Sequence, residues 1–495
     1  MDNMSNLEKY FAPFREKIIG YHKTFDSPYG KQRIVYADWI ASGRLYKSIE
    51  EKISNDFGPL IGNTHSESSA TGTSMTYSYH EAHNIIKKHC NAGKNDVIIT
   101  AGSGMTGLIC KFQRLLGLKI PEQLSDYVQL PEELRPVVFV THMEHHSNQT
   151  TWLETIADVI VLDPDNKGLV DLNNLEKELS KHKNRELKIG AFTACSNVTG
   201  IETPYHKMAK ITHKYGGYCF IDFAASAPYV KIDMHPEDPE EKLDAIFFSP
   251  HKFLGGPGSS GVMIFDSQLY KNKVPDHPGG GTVDWTNPWG QHQFVSNIEA
   301  REDGGTPAFL QAIRAALCIK LKEEMDIENM NLREIELVKI AFEEMRKIPG
   351  LHILADNIEK HLGAISFYVE DIHYNLIVKL LNDRFGVQVR GGCSCAGTYG
   401  HYLLHLDPAH SKAFTDKINS GDLSEKPGWV RISIHPTMTT DELYLVINAI
   451  KEIVENISNW EKDYSYDISK NEYYHILSSG DEVEKVKNWF NISEK

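Results

Sequence analysis

The sequence lacks the features that mark membrane, secreted and nucleic-acid-binding proteins. No apolar run is long enough to cross a bilayer, and residues 1–14 are polar and charged, without the apolar core of a signal peptide. Lys and Arg number 52 against 67 Asp and Glu, and the resulting net charge of −15 disfavours nucleic acid and anionic membranes as partners. Seven scattered cysteines among 495 residues form no evident disulfide framework, so a cytoplasmic location is expected.

What the sequence does contain predicts an α/β protein of two domains. With 41% apolar residues, the chain is long enough to bury a large core. Strand patterns alternate with helical patterns between residues 97 and 265, which predicts a large, mixed and mostly parallel sheet with helices on both faces. We predict an N-terminal segment 1–35 that packs with the small domain, a large domain 36–305, and a small α+β domain 306–495 with a charged tail.

Periodicity gives the elements of the small domain. It predicts helices at 309–325, 332–345 and 375–382, and strands at 364–369, 387–390 and 430–434. The run from Thr439 to Glu442 is a capping box for a further helix. For the tail from residue 459 we expect a surface helix.

Lys252 follows the apolar strand 245–248 and precedes a glycine-rich turn, in the run Ser249-Pro250-His251-Lys252-Phe253-Leu254-Gly255-Gly256. The strand would deliver the amine to the carboxyl edge of a buried sheet, where open α/β folds place ligands. Burial lowers the pKa of a lysine and makes it nucleophilic, so Lys252 suits a Schiff base with pyridoxal phosphate. Ser249 and His251 are placed to donate to a phosphate. The alternative is a surface turn with a solvated lysine.

Two further strands end in polar groups. Asp222 closes the apolar strand 218–222, where a buried carboxylate needs a cationic partner such as a protonated pyridine nitrogen. A helix cap is the alternative role for it. Strand 96–101 leads into Ser103 and Gly104 at a helix start, where backbone amides would bind phosphate.

Histidines cluster after strand 137–140, in the run His142-Met143-Glu144-His145-His146. A histidine at this place could stack on a flat heteroaromatic ring. A metal site is the alternative, but the spacing is not that of a zinc helix or knuckle and no cysteine pair is near, so we predict no metal. Asn197 is placed to bond a ring hydroxyl or a substrate carboxylate, or else is an ordinary turn asparagine.

The order of these motifs resembles that of the class V aminotransferases, within the fold-type I enzymes, and in particular cysteine desulfurases and selenocysteine lyases. The resemblance runs from about residue 36 to about residue 443, and the matching motifs are Gly102-Ser103-Gly104, Glu144-His145-His146, Ser196-Asn197-Val198-Thr199-Gly200, Ile221-Asp222-Phe223-Ala224 and Ser249-Pro250-His251-Lys252. It implies that Lys252 holds pyridoxal phosphate as an internal aldimine, that Asp222 pairs with the pyridine nitrogen, and that His145 stacks on the ring.

The resemblance also implies how the cofactor phosphate is held and how the subunits assemble. Its contacts within one subunit would be Ser103, Gly104, Ser249 and His251. Thr306 matches a threonine that reaches the same phosphate from the neighbouring subunit. A homodimer with shared active sites is therefore expected.

Two thiols, Cys393 and Cys395, lie in the run Arg390-Gly391-Gly392-Cys393-Ser394-Cys395-Ala396-Gly397. Their spacing is unsuited to a mutual disulfide and supplies half of a zinc site, whereas mobile thiols suit sulfur transfer. By resemblance to the Arg-x-Gly-x-x-Cys-Ala motif of desulfurases, Cys395 is the residue that attacks substrate sulfur. The Cys-x-Cys itself looks like that of molybdenum cofactor sulfurases, with Cys393 beside the substrate. Two small loop residues without chemistry are the alternative.

Arg431, in strand 430–434, matches the family's clamp for the substrate α-carboxylate, for which a bidentate guanidinium is suited. Two departures from the family stand out. Ala225 occupies the place of a glutamine or histidine that bonds the cofactor's ring oxygen, so Ser226 or Asn197 would have to substitute. Residues 398–426 are predicted to form a long loop beside the thiols that closes over a bulky substrate or docks an acceptor.

Together these observations predict a cysteine desulfurase-like lyase. Lys252 would act as the base at Cα, and attack by Cys395 would leave a persulfide and alanine. Alternatives are a class V aminotransferase, epimerase or selenocysteine lyase acting on another amino acid. A non-catalytic sulfur-relay or binding scaffold is a different class, disfavoured because a scaffold needs no electron sink. Expected partners are an amino acid substrate and a sulfur-acceptor protein.

Overall fold

The computed structural model of the chain describes residues 5–64, 66–477 and 482–492. Residues 1–4, 65, 478–481 and 493–495, which fall within the three predicted segments, lie outside the described residues. The α-helices are α1 (Asn6–Arg15), α2 (Lys47–Lys52), α3 (Ala70–His89), α4 (Met105–Leu115), α5 (His146–Leu153), α6 (Leu172–Lys181), α7 (Tyr205–Lys214), α8 (Ile298–Arg301), α9 (Phe309–Glu324), α10 (Ile327–Met345), α11 (Tyr374–Phe385), α12 (Gly397–Leu403), α13 (Pro408–Asn419), α14 (Thr440–Trp460) and α15 (Glu482–Asn488).

The strands fall into two larger sheets and several two-stranded pairs. They are β1 (Thr24–Ser27), β2 (Gly30–Arg33), β3 (Val35–Tyr36), β4 (Asp96–Ala101), β5 (Val137–Thr141), β6 (Asp158–Leu162), β7 (Lys188–Thr193), β8 (Tyr218–Asp222), β9 (Ala245–Phe248), β10 (Gly261–Asp266), β11 (Val283–Thr286), β12 (His292–Phe294), β13 (Leu351–Ile353), β14 (Ala364–Val369), β15 (Val387–Gln388), β16 (Arg390–Gly392), β17 (Trp429–Ser433), β18 (Tyr464–Asp467) and β19 (Glu472–His475).

The larger sheet has seven strands in the order β4-β10-β9-β8-β7-β5-β6. Strands β5 to β9 pair in parallel, whereas β10 runs antiparallel to both β4 and β9. Alternate side chains of β4 enter two separate cores, Ile98 on one face and Val97 and Ile99 on the other. Because both faces are covered, the strands are continuously apolar. The predicted α/β class is confirmed.

The smaller sheet is antiparallel, in the order β13-β14-β17-β16. The strand predicted at 387–390 is divided, since β15 pairs in parallel with β3 and only β16 joins this sheet. Helix α14 begins with the predicted capping box, in which Glu442 N donates to Thr439 Oγ1 at 2.9 Å and Thr439 N donates to Glu442 Oε2 at 3.1 Å.

The N-terminal segment contacts elements of the small domain. Arg333 on α10 is fully buried and forms an ion pair with Glu8 at 2.9 Å. The Arg15 guanidinium donates to the Thr437 carbonyl at 2.6 Å. Domain boundaries at residues 35 and 305 stay a prediction.

One expectation for the C-terminal half is wrong, and a second is met only in part. Residues 398–426 are not a long loop but carry α12 and α13, the second of which is capped by Asp407 and has Pro408 in its first turn. The tail beyond residue 459 first forms a β18–β19 hairpin, and the expected surface helix is present only at its end, as α15, with exposed side chains at residues 483–488. The hairpin is held by side-chain hydrogen bonds to α11, including Tyr464 to Asp383 at 3.1 Å. No helix in the described ranges is both long and apolar enough to span a membrane.

Candidate active site

A cavity of about 460 Å³ opens at the carboxyl ends of the central parallel strands, and the loops of the small sheet close its other side. Most of the residues predicted for the site line this cavity. They are Ser103, Gly104, His145, Asn197, Asp222, Ser249, His251, Lys252, Cys395 and Arg431. Thr306 and Cys393 are the two predicted site residues that do not line it.

Lys252 and Asp222 reach the cavity from neighbouring strands. Asp222 is the last residue of β8 and pairs in register with Phe247 on β9, three residues before the 3₁₀ turn Pro250–Lys252. Burial lowers the pKa of Lys252 to about 8, against the opposing effect of the Asp222 charge. Burial likewise raises the pKa of Asp222 to about 6. Asp222 Oδ1 accepts from Ala224 N at 2.7 Å, so the aspartate also shapes the turn that follows.

The start of α4 forms a cradle of small and hydroxyl groups. Met105 N donates to Ser249 Oγ at 2.9 Å, and the His251 ring contacts the Ser103 carbonyl through Nδ1 at 2.8 Å. A Cβ at Gly104 would come within 3.2 Å of both Ser249 Oγ and the His251 ring, so glycine keeps this corner open. A helix N-terminus with converging donors is suited to bind a phosphate.

The three clustered histidines make different contacts. His145 lines the cavity and caps α5 through Nδ1, which accepts from Ser147 N at 3.1 Å, while burial lowers its pKa to about 3. His142 instead contacts the Gly168 carbonyl at 3.0 Å, and His146 contacts the Cys395 segment. Across the described ranges, no group of three or more His, Cys, Asp or Glu side chains is arranged to hold a metal ion.

Asn197 is held by residues 393–398, which contain Cys393 and Cys395 and are called the thiol segment below. Its Nδ2 donates to the Ser394 carbonyl at 2.8 Å, and its Oδ1 is buried without a partner in the described structure. Ala225 also lines the cavity, whereas Ser226 does not. Of the two residues predicted to substitute for the missing side chain at Ala225, Asn197 is therefore the one that lines the cavity.

Arg431 is buried and already has two acceptors. Its guanidinium donates to Asp38 Oδ1 at 2.9 Å and to the Asn197 carbonyl at 3.0 Å, and its Nε lacks a partner in the described structure. Arg390 lies on the other side of the same carboxylate, with Nε 3.4 Å from Asp38 Oδ2, and it too lines the cavity. Sequence reasoning missed Asp38, because nothing in its local pattern indicates a partner 393 residues away.

The two thiols differ in surroundings. Cys395 is exposed and lines the cavity, whereas Cys393 is half-buried and packs against the hydrophobic core. Ser394 and Cys395 both have left-handed backbone conformations, with φ of +53° and +56°. Such conformations are unfavourable for residues other than glycine and persist only where surrounding contacts hold them. All seven cysteines are free.

Thr306 lies outside this cavity, at an exposed turn before α9. The segment leading to it is anchored by a buried ion pair between Lys111 and Glu302 at 2.7 Å.

Thr106 and Ser147 also line the cavity, with their hydroxyls 2.7 Å apart. Sequence reasoning did not predict them as site residues, because the pattern around residues 106 and 147 gave no indication of a functional role.

Glu144 is a further residue that sequence reasoning did not single out. It is fully buried and accepts from Thr141 Oγ1 at 2.7 Å, from Thr193 N at 2.9 Å and from Asn148 Nδ2 at 2.8 Å. Burial raises its pKa to about 7. These bonds tie the loop that carries His145 to the neighbouring strand β7.

The family model for class-V aminotransferases matches residues 35–446. The chain belongs to the class-V aminotransferase family. The match spans both sheets and every predicted site residue, and it confirms the family resemblance seen in the motifs.

Relatives of this family member include probable cysteine desulfurases. One from Halalkalibacterium halodurans is 26% identical over 398 residues, covering 80% of this chain and 89% of the relative. One from Staphylococcus aureus is 26% identical over 384 residues, covering 77% and 87%.

Solved structures share the fold. An apo cysteine desulfurase from Thermococcus onnurineus superposes with a TM-score of 0.69 at 21% identity, covering 86% of this chain and 95% of that one. A cysteine desulfurase from Escherichia coli also gives 0.69 at 21% identity, covering 90% and 98%. The fold-type I architecture predicted from the motifs is confirmed.

Proposed function

We propose that this class-V family member is a pyridoxal phosphate-dependent cysteine desulfurase, which converts cysteine to alanine and carries the sulfur as a persulfide on Cys395. The observation that supports it most is the placement of an exposed thiol on the rim of the cavity that holds Lys252 and Asp222. The names of the two bacterial relatives support the same activity.

The side chains of the cavity fit pyridoxal phosphate. The α4 start, with Ser103, Gly104, Ser249 and His251, offers donors for its phosphate. Buried Asp222 has few protein partners and suits a cationic ring nitrogen, while His145 is placed to stack on the ring and Asn197 to bond its oxygen. When bound, the cofactor would supply an electron sink for a carbanion at the substrate Cα.

Lys252 would first bind the cofactor and then move the proton at Cα. Its lowered pKa of about 8 leaves an appreciable neutral fraction near pH 7, as a general base requires. Arg431 would bind the substrate α-carboxylate, with Asp38 fixing the orientation of its guanidinium. Arg390 adds a second positive charge on the same side of the cavity.

Cys395 would attack the sulfur of the bound cysteine. The S–S bond forms as the substrate Cβ–S bond breaks, the proton of the attacking thiol is released, and Cβ takes up a proton to give alanine. Atoms balance, because cysteine and a protein thiol become alanine and a protein persulfide. Cys393 would lie on the side of Cys395 away from the cavity, since it packs against the hydrophobic core.

The assembly and location follow from the same proposal. A homodimer would place Thr306 at the phosphate of the partner subunit's site, and the exposed turn that carries Thr306 supports this. Seven free cysteines support a reducing, cytoplasmic environment. The persulfide would pass to a sulfur-acceptor protein.

A sulfide assay tests the activity. Purified holoenzyme with cysteine and a reductant should release sulfide and alanine in equal amounts. With reductant present, alanine without sulfide would contradict a route through Cys395, because the reductant releases the persulfide sulfur as sulfide. Transamination or epimerisation without sulfide would favour a class-V aminotransferase or epimerase, and release of selenide alone from selenocysteine would favour a selenocysteine lyase.

A further inference from the structure

His146 contacts the thiol segment at Cys395 and at Gly397. Its backbone N–H donates to the Cys395 carbonyl at 2.8 Å. Its ring Nε2 accepts from Gly397 N at 3.0 Å. One turn further along α5, Gln149 Oε1 accepts from Thr398 Oγ1 at 2.8 Å. The first turn of α5 is thus bonded to three residues of the segment, Cys395, Gly397 and Thr398.

The ring of His146 completes the start of α12. The first N–H groups of a helix have no partner inside it and are commonly satisfied by the N-cap side chain. The N-cap residue of α12 is Ala396, whose side chain forms no such bond. His146 from another helix supplies the acceptor in its place. Burial lowers the pKa of His146, which favours the unprotonated nitrogen that this bond requires.

The backbone around Cys395 needs external support. Ser394 and Cys395 are consecutive residues in the left-handed region. Ser394 is held from the side of the large sheet by Asn197 and from the small sheet by Trp429, whose Nε1 donates to Ser394 Oγ at 3.1 Å. The contacts made by His146 are the corresponding support on the far side of Cys395.

We propose that His146 is a positioning residue for the nucleophile, which caps α12 and thereby holds the Cys395 backbone in the conformation that places the thiol on the cavity rim. The inference deepens the proposed function and rests on it in so far as Cys395 is the reacting thiol. His146 itself contacts neither substrate nor cofactor in this role. Its effect would therefore fall on turnover and on the exposure of the Cys395 thiol.

Two substitutions at His146 distinguish positioning from mere packing. His146→Gln retains a side-chain oxygen that can accept from Gly397 N, whereas His146→Leu fills the space without an acceptor. In the holoenzyme, His146→Leu should lower the turnover number for sulfide release by about ten- to a hundredfold, the effect of a misplaced reacting group. The KM for cysteine should change by less than about twofold, because binding contacts are untouched. His146→Gln should recover most of the loss.

A second readout does not depend on the sulfur chemistry. Iodoacetamide should alkylate Cys395 faster in His146→Leu than in wild type, with the half-buried Cys393 as the reference within the same peptide. Thr398→Val removes only the Gln149 bond and should give a smaller change in the same direction. His352→Leu, at an exposed histidine on β13, is the matched control and should leave both readouts unchanged.

The outcomes separate this inference from the proposed function. Equal losses in the Leu and Gln variants, or unchanged alkylation of Cys395 in the Leu variant, would overturn the positioning role. Should the Leu variant lose its cofactor absorbance, the Gln and Thr398→Val variants still give the comparison. A wild-type enzyme that releases no sulfide would refute the desulfurase function, while the alkylation rates would still test whether His146 holds the thiol.

Discussion

The lowered pKa of Lys252 has a direct consequence for how the protein captures its cofactor. A free amine attacks an aldehyde, whereas an ammonium does not. With its pKa moved from the ordinary 10.5 to about 8, the neutral fraction of Lys252 at pH 7 is about one in ten, compared with about one in 3,000 for an unperturbed lysine. The capture rate at neutral pH should therefore exceed that expected for an ordinary lysine by about 300-fold.

The sign of the pH dependence follows from the direction of the shift. Below pH 8 the neutral fraction rises about tenfold for each pH unit, and above pH 8 it levels off. Cofactor-free protein mixed with pyridoxal phosphate should show this profile in the absorbance change that accompanies covalent capture. Nα-acetyl-lysine, measured in the same buffers, corrects for the ionisation of the cofactor.

Two variants test whether Lys252 is the amine that captures the cofactor. Lys252→Ala should abolish capture, and borohydride followed by peptide mapping of the wild type should fix the cofactor on Lys252. Asp222→Asn removes a negative charge that raises the Lys252 pKa, so the midpoint should move to lower pH. A capture rate that continues to rise to pH 10, or reduced cofactor on another lysine, would refute the reasoning.

Three further predictions concern the surrounding groups. Asp222→Asn should lower turnover by about a hundredfold or more through loss of the charge opposite the ring nitrogen, measured as sulfide release with cofactor content held equal; unchanged turnover would contradict this. Asp38→Asn leaves the buried Arg431 with a weaker acceptor and should reduce the free energy of unfolding by about 1.5–3 kcal/mol in urea, whereas Lys47→Gln on the surface should not. Thr306→Ala should weaken cofactor retention in a protein that sediments as a dimer, and a fully active monomer would rule out shared sites.

Much of the site could be predicted because its residues follow strand ends. Asp222 ends β8, Lys252 and His145 lie four residues after the ends of β9 and β5, and parallel strands bring their carboxyl ends to one edge. The large sheet and the capping box at Thr439 could also be predicted, because strand and helix patterns and a capping box are each visible within a few consecutive residues.

Most of what sequence reasoning missed depends on contacts between distant segments. Asp38 meets Arg431 across 393 residues, and His146 meets Gly397 across 251. Helix α12 is short and is capped by a residue of α5, so its start has no local signal. Helix α13, in contrast, begins with the local signal of an Asp407 cap followed by Pro408, which sequence reasoning overlooked. The terminal hairpin is stabilised by contacts with α11, whose Tyr374 hydroxyl accepts from Asn471 Nδ2 at 2.7 Å, and the local pattern of the tail does not reveal this contact.

The most direct test of the desulfurase proposal is to locate the transferred sulfur. The holoenzyme should be exposed briefly to cysteine without reductant, and the peptide that contains Cys393 and Cys395 should then be analysed by mass spectrometry. The account predicts one extra sulfur atom on Cys395, none in Cys395→Ala, and continued, slower sulfide release in Cys393→Ala. Extra sulfur on Cys393, or undiminished sulfide release from the double alanine variant, would contradict it.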